Sequence, residues 1–256
     1  MEKLKKYAKH PVFWIDITLL IVTICLSVFV IIEARKPMLI DDYTIHNATK
    51  LEEESSANYF EDETKNKTLK EWQEINPEVV YLLKINNKQF PVLHGSGEAY
   101  YLDHDVFKKY DIFGSVFLEP STVETTTKNK IIYGHSTYNK DLMFTFISNY
   151  RDNNYYKEHK TFELEDSTDT HTYIVLALME ISNSQKPENM KWFVPNMNEV
   201  NASEFVQDFV SGSASVSLFS SVVAPDKPFV ELVTCKMGTT VENSNGRYVL
   251  LAQEVN

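Results

Sequence analysis

The chain is short of cysteine, glycine and proline. Its 256 residues include two cysteines, seven glycines and nine prolines. So few glycines and prolines exclude collagen-like or low-complexity character. No internal repeat is visible. There is no GxGxxG, no P-loop, no HExxH and no CxxC. No cofactor and no metal requirement is therefore expected. A basic excess is also missing: the net charge is −11. A nucleic-acid binder would show a basic face, so nucleic acid is not an expected partner.

Against these absences stands one long apolar run. Val12 to Ile32 reads VFWIDITLLIVTICLSVFVII, with Asp16 as its only charge. Twenty-one residues of helix span about 30 Å, one bilayer core. Lys3, Lys5, Lys6 and Lys9 precede it, and Arg35 and Lys36 follow beside Glu33. The positive-inside bias places residues 1–11 in the cytoplasm, 12–32 across the membrane and the rest outside. A cleaved signal peptide is the competing reading. The run is longer than a usual signal core, and its exit, IIEARKP, has no A-x-A pattern, so an uncleaved signal-anchor is expected. Residues 37–256 then hold 19 basic and 33 acidic side chains, a net charge of −14. That suits a soluble extracellular domain.

Residues 33–68 read as a polar, acidic stalk leading into a helix. TLKEWQEINPE has Thr68 and Glu71 at capping-box spacing, and Pro77 stops it. From Val79 the pattern turns β-like. VVYLLKI, QFPVLHG, SVFLEP, KIIYGHS, FELED, HTYIVLALMEI, FVELVTC and RYVLLAQEV are about eight strand candidates bounded by turn residues. Such a series argues for a barrel or sandwich. Two helical interruptions are expected. One is DLMFTFISNY, 141–150. The other is 198–211, with Asn201 or Ser203 as cap and Phe205, Val206, Phe209 and Val210 on one face.

Cys25 lies in the expected membrane helix, so Cys235 is alone in the ectodomain and has no intramolecular disulfide partner. A lone thiol outside the cytoplasm is prone to oxidation, and its presence hints at use. Cys235 ends FVELVTC and Arg247 starts RYVLLAQEV. If these consecutive strands pair antiparallel, thiol and guanidinium share one edge of the sheet. A fixed fork of N–H donors beside a thiol suits a developing oxyanion. A thiol nucleophile also needs a base. The ectodomain offers His46, His94, His104, His135, His159 and His171, and spacing alone does not choose among them. On spacing alone, a buried inert cysteine stays as open as a catalytic one. LDHD (102–105) reads as a solvated loop more readily than as a cation site. Asn47, Asn66 and Asn201 open glycosylation sequons.

Three blocks taken together resemble a known family: LVTC (232–235), YGH (133–135) and the strand-opening Arg247 of NGRYVLLA. With YGH first along the chain, then LVTC, then the arginine, they resemble sortases, the membrane-anchored cysteine transpeptidases of Gram-positive bacteria. INPEVVYLLKI, FPVLHG, EAYYLDHD and GSVFLEP extend the resemblance over 70–255, where the chain is most similar to class B. The resemblance implies a mostly β fold, a closed or nearly closed barrel of about eight strands with peripheral helices. It spans 69–256, beyond the transmembrane helix and stalk. Cys235 matches the nucleophile, His135 the general acid and base, and Arg247 the residue that steadies the substrate carbonyl. Thr234, Gly134 and Ser136 are expected beside the substrate. Many sortases read Thr-Leu-x-Thr-Cys; Glu231 departs from that pattern, which puts specificity in question more than chemistry.

The implied activity cleaves a C-terminal sorting motif of secreted proteins after Thr, through a thioester. It joins the product to a peptidoglycan amine at the outer face of the cell membrane. Two other readings stand beside it. One is a pilin-polymerising sortase, against which counts the absence of a clear lid motif in 37–68. The other is an inactive membrane-tethered protein that binds wall components.

Overall fold

A computed structural model describes residues 67–95, 100–122, 127–136, 142–181, 190, 193–197, 201–212, 215–220, 224–236 and 246–255. The expected cytoplasmic segment 1–11, membrane helix 12–32, nearly all of the stalk 33–68, and the sequons at Asn47 and Asn66 lie outside the described residues. So does the loop 237–245. Among the described residues no helix is long and apolar enough to cross a membrane.

The first element is helix α1, Leu69–Ile75. Its start is a reciprocal capping box. The Thr68 hydroxyl accepts from the Glu71 N–H at 3.3 Å, and the Glu71 carboxylate accepts from the Thr68 N–H at 2.7 Å. Leu69 and Trp72 are its buried face. The Asn76 amide then donates to the Tyr101 hydroxyl and the Val106 carbonyl, tying the helix end to segment 100–106.

Among the described residues nine strands follow. They are β1 Val79–Ile85, β2 Lys88–Leu93, β3 Val116–Leu118, β4 Asn129–Tyr133, β5 Thr161–Glu165, β6 Thr170–Ile181, β7 Ser215–Leu218, β8 Phe229–Lys236 and β9 Gly246–Glu254. Asn86 and Asn87 turn the β1–β2 hairpin with φ of 53° and 59°, a left-handed pair that Asn tolerates. The sheet order is β5-β1-β2-β3-β4-β8-β9-β6-β7, and β5 also pairs with β6. Eight strands thereby close into a barrel, which leaves no open edge between β1 and β6. Two neighbouring pairs, β2–β3 and β4–β8, are parallel.

Eight of these strands coincide with the expected apolar runs. The ninth, β7, is an addition. Its sequence, SVSL, is mostly exposed and has only two apolar residues, so it carries no strand signal. It exists because β6 is twelve residues long. β5 covers one end of the β6 edge and β7 the other.

Alternation along each strand sends side chains to two different cores. Val230, Leu232, Tyr248, Leu250 and Ile132 point into the barrel. The expected helix at 141–150 is instead a 3₁₀ segment, Thr145–Arg151, followed by helix α2, Asn153–Glu158. Ile147 and Tyr150, three apart as that tighter turn requires, plug the barrel with Phe144 and Phe146. Asp152 caps α2 by accepting from the Asn154 N–H.

The outer face carries two further cores. Helix α3, Ala202–Ser211, lays Phe205, Val206 and Phe209 over Phe229, Val233, Val249 and Leu251. Asn201 is its cap, accepting from the Glu204 N–H at 3.3 Å. The sequon asparagine therefore has a structural task. Leu69 and Trp72 of α1 pack with Tyr101, Val106 and Phe117 over β1–β3. Tyr133 touches both outer cores, so it marks the seam between them.

Candidate active site

The seam opens into a cleft of about 260 Å³ at the end of β4, β8 and β9. Cys235 and Arg247 are direct partners in the β8–β9 ladder. The shared edge expected from consecutive strands is therefore present. Cys235 is a free, half-buried thiol. Val230 and Leu232 point inward and Val233 outward, so Cys235 follows Val233 onto the outer face.

His135 arrives by a route that local pattern does not disclose. β4 runs parallel to β8, with Tyr133 opposite Val233. The Gly134 N–H donates to the Val233 carbonyl at 3.1 Å, and the Thr234 hydroxyl donates to the Gly134 carbonyl at 2.7 Å. These bonds continue the pairing past β4 and bring His135 level with Cys235. All three residues line the same cleft.

Gly134 is required for packing. A Cβ there would lie 2.7 Å from the Phe144 ring. Gly246 is likewise pressed against a neighbouring strand, since a Cβ would meet the Ile181 carbonyl at 2.5 Å. Thr234 and Gly134 line the cleft, but the Thr234 hydroxyl is buried and committed to Gly134. Ser136 is half-buried and is not among the lining residues.

The His135 Nε2 lies 2.8 Å from the Leu102 carbonyl. A carbonyl only accepts, so Nε2 carries the proton and Nδ1 keeps its lone pair. Burial pulls the His135 pKa below the ordinary 6.5, and the nearby Arg247 charge adds to this. The Leu102 hydrogen bond, Asp111 and Asp103 act in the opposite direction without reversing the shift. The imidazole is therefore neutral at neutral pH. The Arg247 Nη1 donates to the Gly246 carbonyl at 2.9 Å, which orients the guanidinium, and its other N–H groups have no hydrogen-bond partner among the described residues.

Six lining residues were not singled out from the sequence as site residues: Tyr133 and Val233, which sit inside the YGH and LVTC blocks, and four others, Leu102, Phe117, Glu119 and Pro120. These four lie outside the motif blocks at Cys235 and His135, and only the pairing of β3 with β4 brings the last three in. The Tyr133 hydroxyl donates to the Glu119 carboxylate at 3.0 Å. Burial, and then that carboxylate, raise the phenol well above its ordinary pKa, so it stays a donor.

Glu231 faces out of the barrel but never reaches the cleft. It is wholly buried. The Asn129 amide donates to its Oε1 at 2.6 Å, while Oε2 has no partner among the described residues. Burial raises its pKa to about 8. Among the described residues no cluster of three His, Cys, Asp or Glu could hold a metal ion.

No protein-family model matches the chain, and no curated protein sequence matches it. Solved structures do. Sortase B of Clostridium perfringens superposes with a TM-score of 0.62 at 21% identity, over 74% of this chain and 100% of that one. The Staphylococcus aureus sortase B–substrate complex gives 0.60 at 18%, over 85% and 99%. A Streptococcus pyogenes class B sortase involved in pilus biogenesis gives 0.59 at 23%, over 73% and 98%. The fold is that of the class B sortases. The resemblance drawn from the LVTC and YGH blocks thus extends to the whole barrel.

Proposed function

We propose that the protein is a cysteine transpeptidase of the sortase type. The observation that carries this reading is the meeting of Cys235 and Arg247, partners in the β8–β9 ladder, with His135, which follows β4 alongside β8, in one cleft. His135 Nδ1, unprotonated at rest, takes the thiol proton as sulfur attacks the carbonyl of a threonine. Charge builds on the carbonyl oxygen, and the Arg247 fork stabilises it. The C–N bond then breaks, and His135 returns the proton to the leaving amine. A thioester on Cys235 remains. An acceptor amine attacks it, gives its proton to His135 and expels the thiolate, which recovers that proton.

The first substrate is the C-terminal sorting motif of a secreted protein. The acceptor is an amine of the peptidoglycan precursor. Similar structures include S. aureus sortase B with its substrate and a sortase B complexed with triglycine, which supports a peptide and an amine as the two partners. Residues 12–32 anchor the chain in the cell membrane, with 1–11 in the cytoplasm and 69–256 outside. The pilus-associated S. pyogenes relative favours a second reading, in which the acceptor is a lysine of another pilin.

The test is Cys235→Ala against a pool of fluorogenic peptides with threonine at the cleaved position. Cleavage by the parent and none by the variant is expected. Equal cleavage by both would end the proposal.

A further inference from the structure

The cleft has two ends, and only one holds the reactive groups. Phe117 pairs with Tyr133, and the Glu119 N–H donates to the Ile131 carbonyl at 2.8 Å. Glu119 therefore stands level with Ile131, four residues before His135. At about 3.3 Å per residue, its backbone lies roughly 13 Å from the level of Cys235.

At that far end the carboxylate is fixed in place. The Tyr133 hydroxyl donates to Oε2 at 3.0 Å, and the Ser121 hydroxyl donates to Oε1 at 3.0 Å. Both donors are neutral. No ion pair among the described residues involves Glu119. Phe117, Pro120 and Tyr133 line the cleft beside it. Half-buried beside these groups, the Glu119 carboxylate meets only neutral donors among the described residues and stays open to a cation from a ligand.

We infer that Glu119 is a specificity-determining residue that pairs with a cationic side chain of the peptide substrate, three or four residues upstream of the cleaved threonine. This rests on the transpeptidase reading. An extended peptide advances at most 3.3–3.6 Å per residue, so three or four residues cover the distance. The acceptor amine is excluded as the cation, because its nitrogen has to reach the thioester at Cys235. The upstream side is chosen because the acyl half must stay seated between the two chemical steps. The leaving half must clear the site for the second substrate.

The test separates binding from turnover. Fluorescent peptides carry Lys, Gln or Glu at each position from four upstream to two downstream of threonine. Their affinities are measured on Cys235→Ala and on Cys235→Ala with Glu119→Gln or Glu119→Lys. Lys three or four residues upstream binds Cys235→Ala about tenfold tighter than Glu there, about 1.4 kcal/mol. Glu119→Gln removes the preference and Glu119→Lys inverts it. Thermal melts confirm that the variants fold. Equal affinities, a preference confined to downstream positions, or no binding of any peptide overturns the inference. Cleavage of the same peptides by the parent protein is read separately. Charge-selective binding without cleavage keeps Glu119 and sinks the catalytic reading; cleavage without charge selectivity does the reverse.

Discussion

Two stretches of β8, four residues apart on the same outer face, meet opposite fates. Cys235 is half-buried at the strand end, with Arg247 opposite and His135 alongside. Glu231 lies wholly buried beside the outer core. Both are polar groups on a face that packing mostly covers. At Cys235 the cover stops, so the thiol meets solvent. At Glu231 the cover is complete, and the low dielectric holds the carboxyl as a neutral acid. What separates a site from a buried polar residue here is where helix α3 and segment 193–197 end their cover, since alternation along the strand is the same.

Breaking the open end should have the largest effect. Arg247→Lys keeps the charge but loses the planar fork. Steady-state kinetics should show a loss of about 10²–10³ in kcat, the size of a lost oxyanion donor. A change under threefold would remove Arg247 from the mechanism.

The closed end should answer in stability instead. Native Glu231 holds its proton up to about pH 8, whereas an unfolded carboxyl releases it near 4.5. Between those values the folded state binds the extra proton. Stability therefore falls as pH rises through this window, by at most about 1.4 kcal/mol per unit from this group. Glu231→Gln mimics the neutral acid and can still pair with Asn129. Urea melts at pH 5, 6, 7 and 8 should show parent and variant close at pH 5 and the variant ahead at pH 8. Parallel curves would place the Glu231 proton elsewhere.

Between the two ends sits Gly134, whose effect should be smaller. Gly134→Ala drives a methyl into the Phe144 ring that plugs the barrel. A loss of about 1–3 kcal/mol is expected from such overpacking, measured by denaturant melts. An unchanged midpoint would show that Phe144 moves aside freely.

Much of this contrast was legible in the chain, and the limits are physical. The Cys235–Arg247 pair was readable because consecutive antiparallel strands have one economical pairing. The α1 cap and the α3 face were readable because capping and amphipathic spacing are local signals. His135 was readable only through the resemblance of its YGH block; spacing did not single it out, because β4 and β8 are parallel and about a hundred residues apart, and no local pattern names a parallel partner. Glu119 was hidden for the same kind of reason. Its place in the cleft follows from β3 pairing with β4, and one acidic residue before a proline carries no signal of its own. The departure at Glu231 was visible, but its burial depended on packing beside Asn129 that appears only in the folded barrel.

In the proposed mechanism Cys235 carries the acyl half of the substrate. Intact-protein mass spectrometry of the parent protein, mixed with the threonine peptide pool, tests it directly. An adduct equal in mass to the acyl portion is expected, located on Cys235 and released by hydroxylamine or by triglycine. Peptide cleavage with no adduct on Cys235, or an adduct that persists in Cys235→Ala, would contradict it.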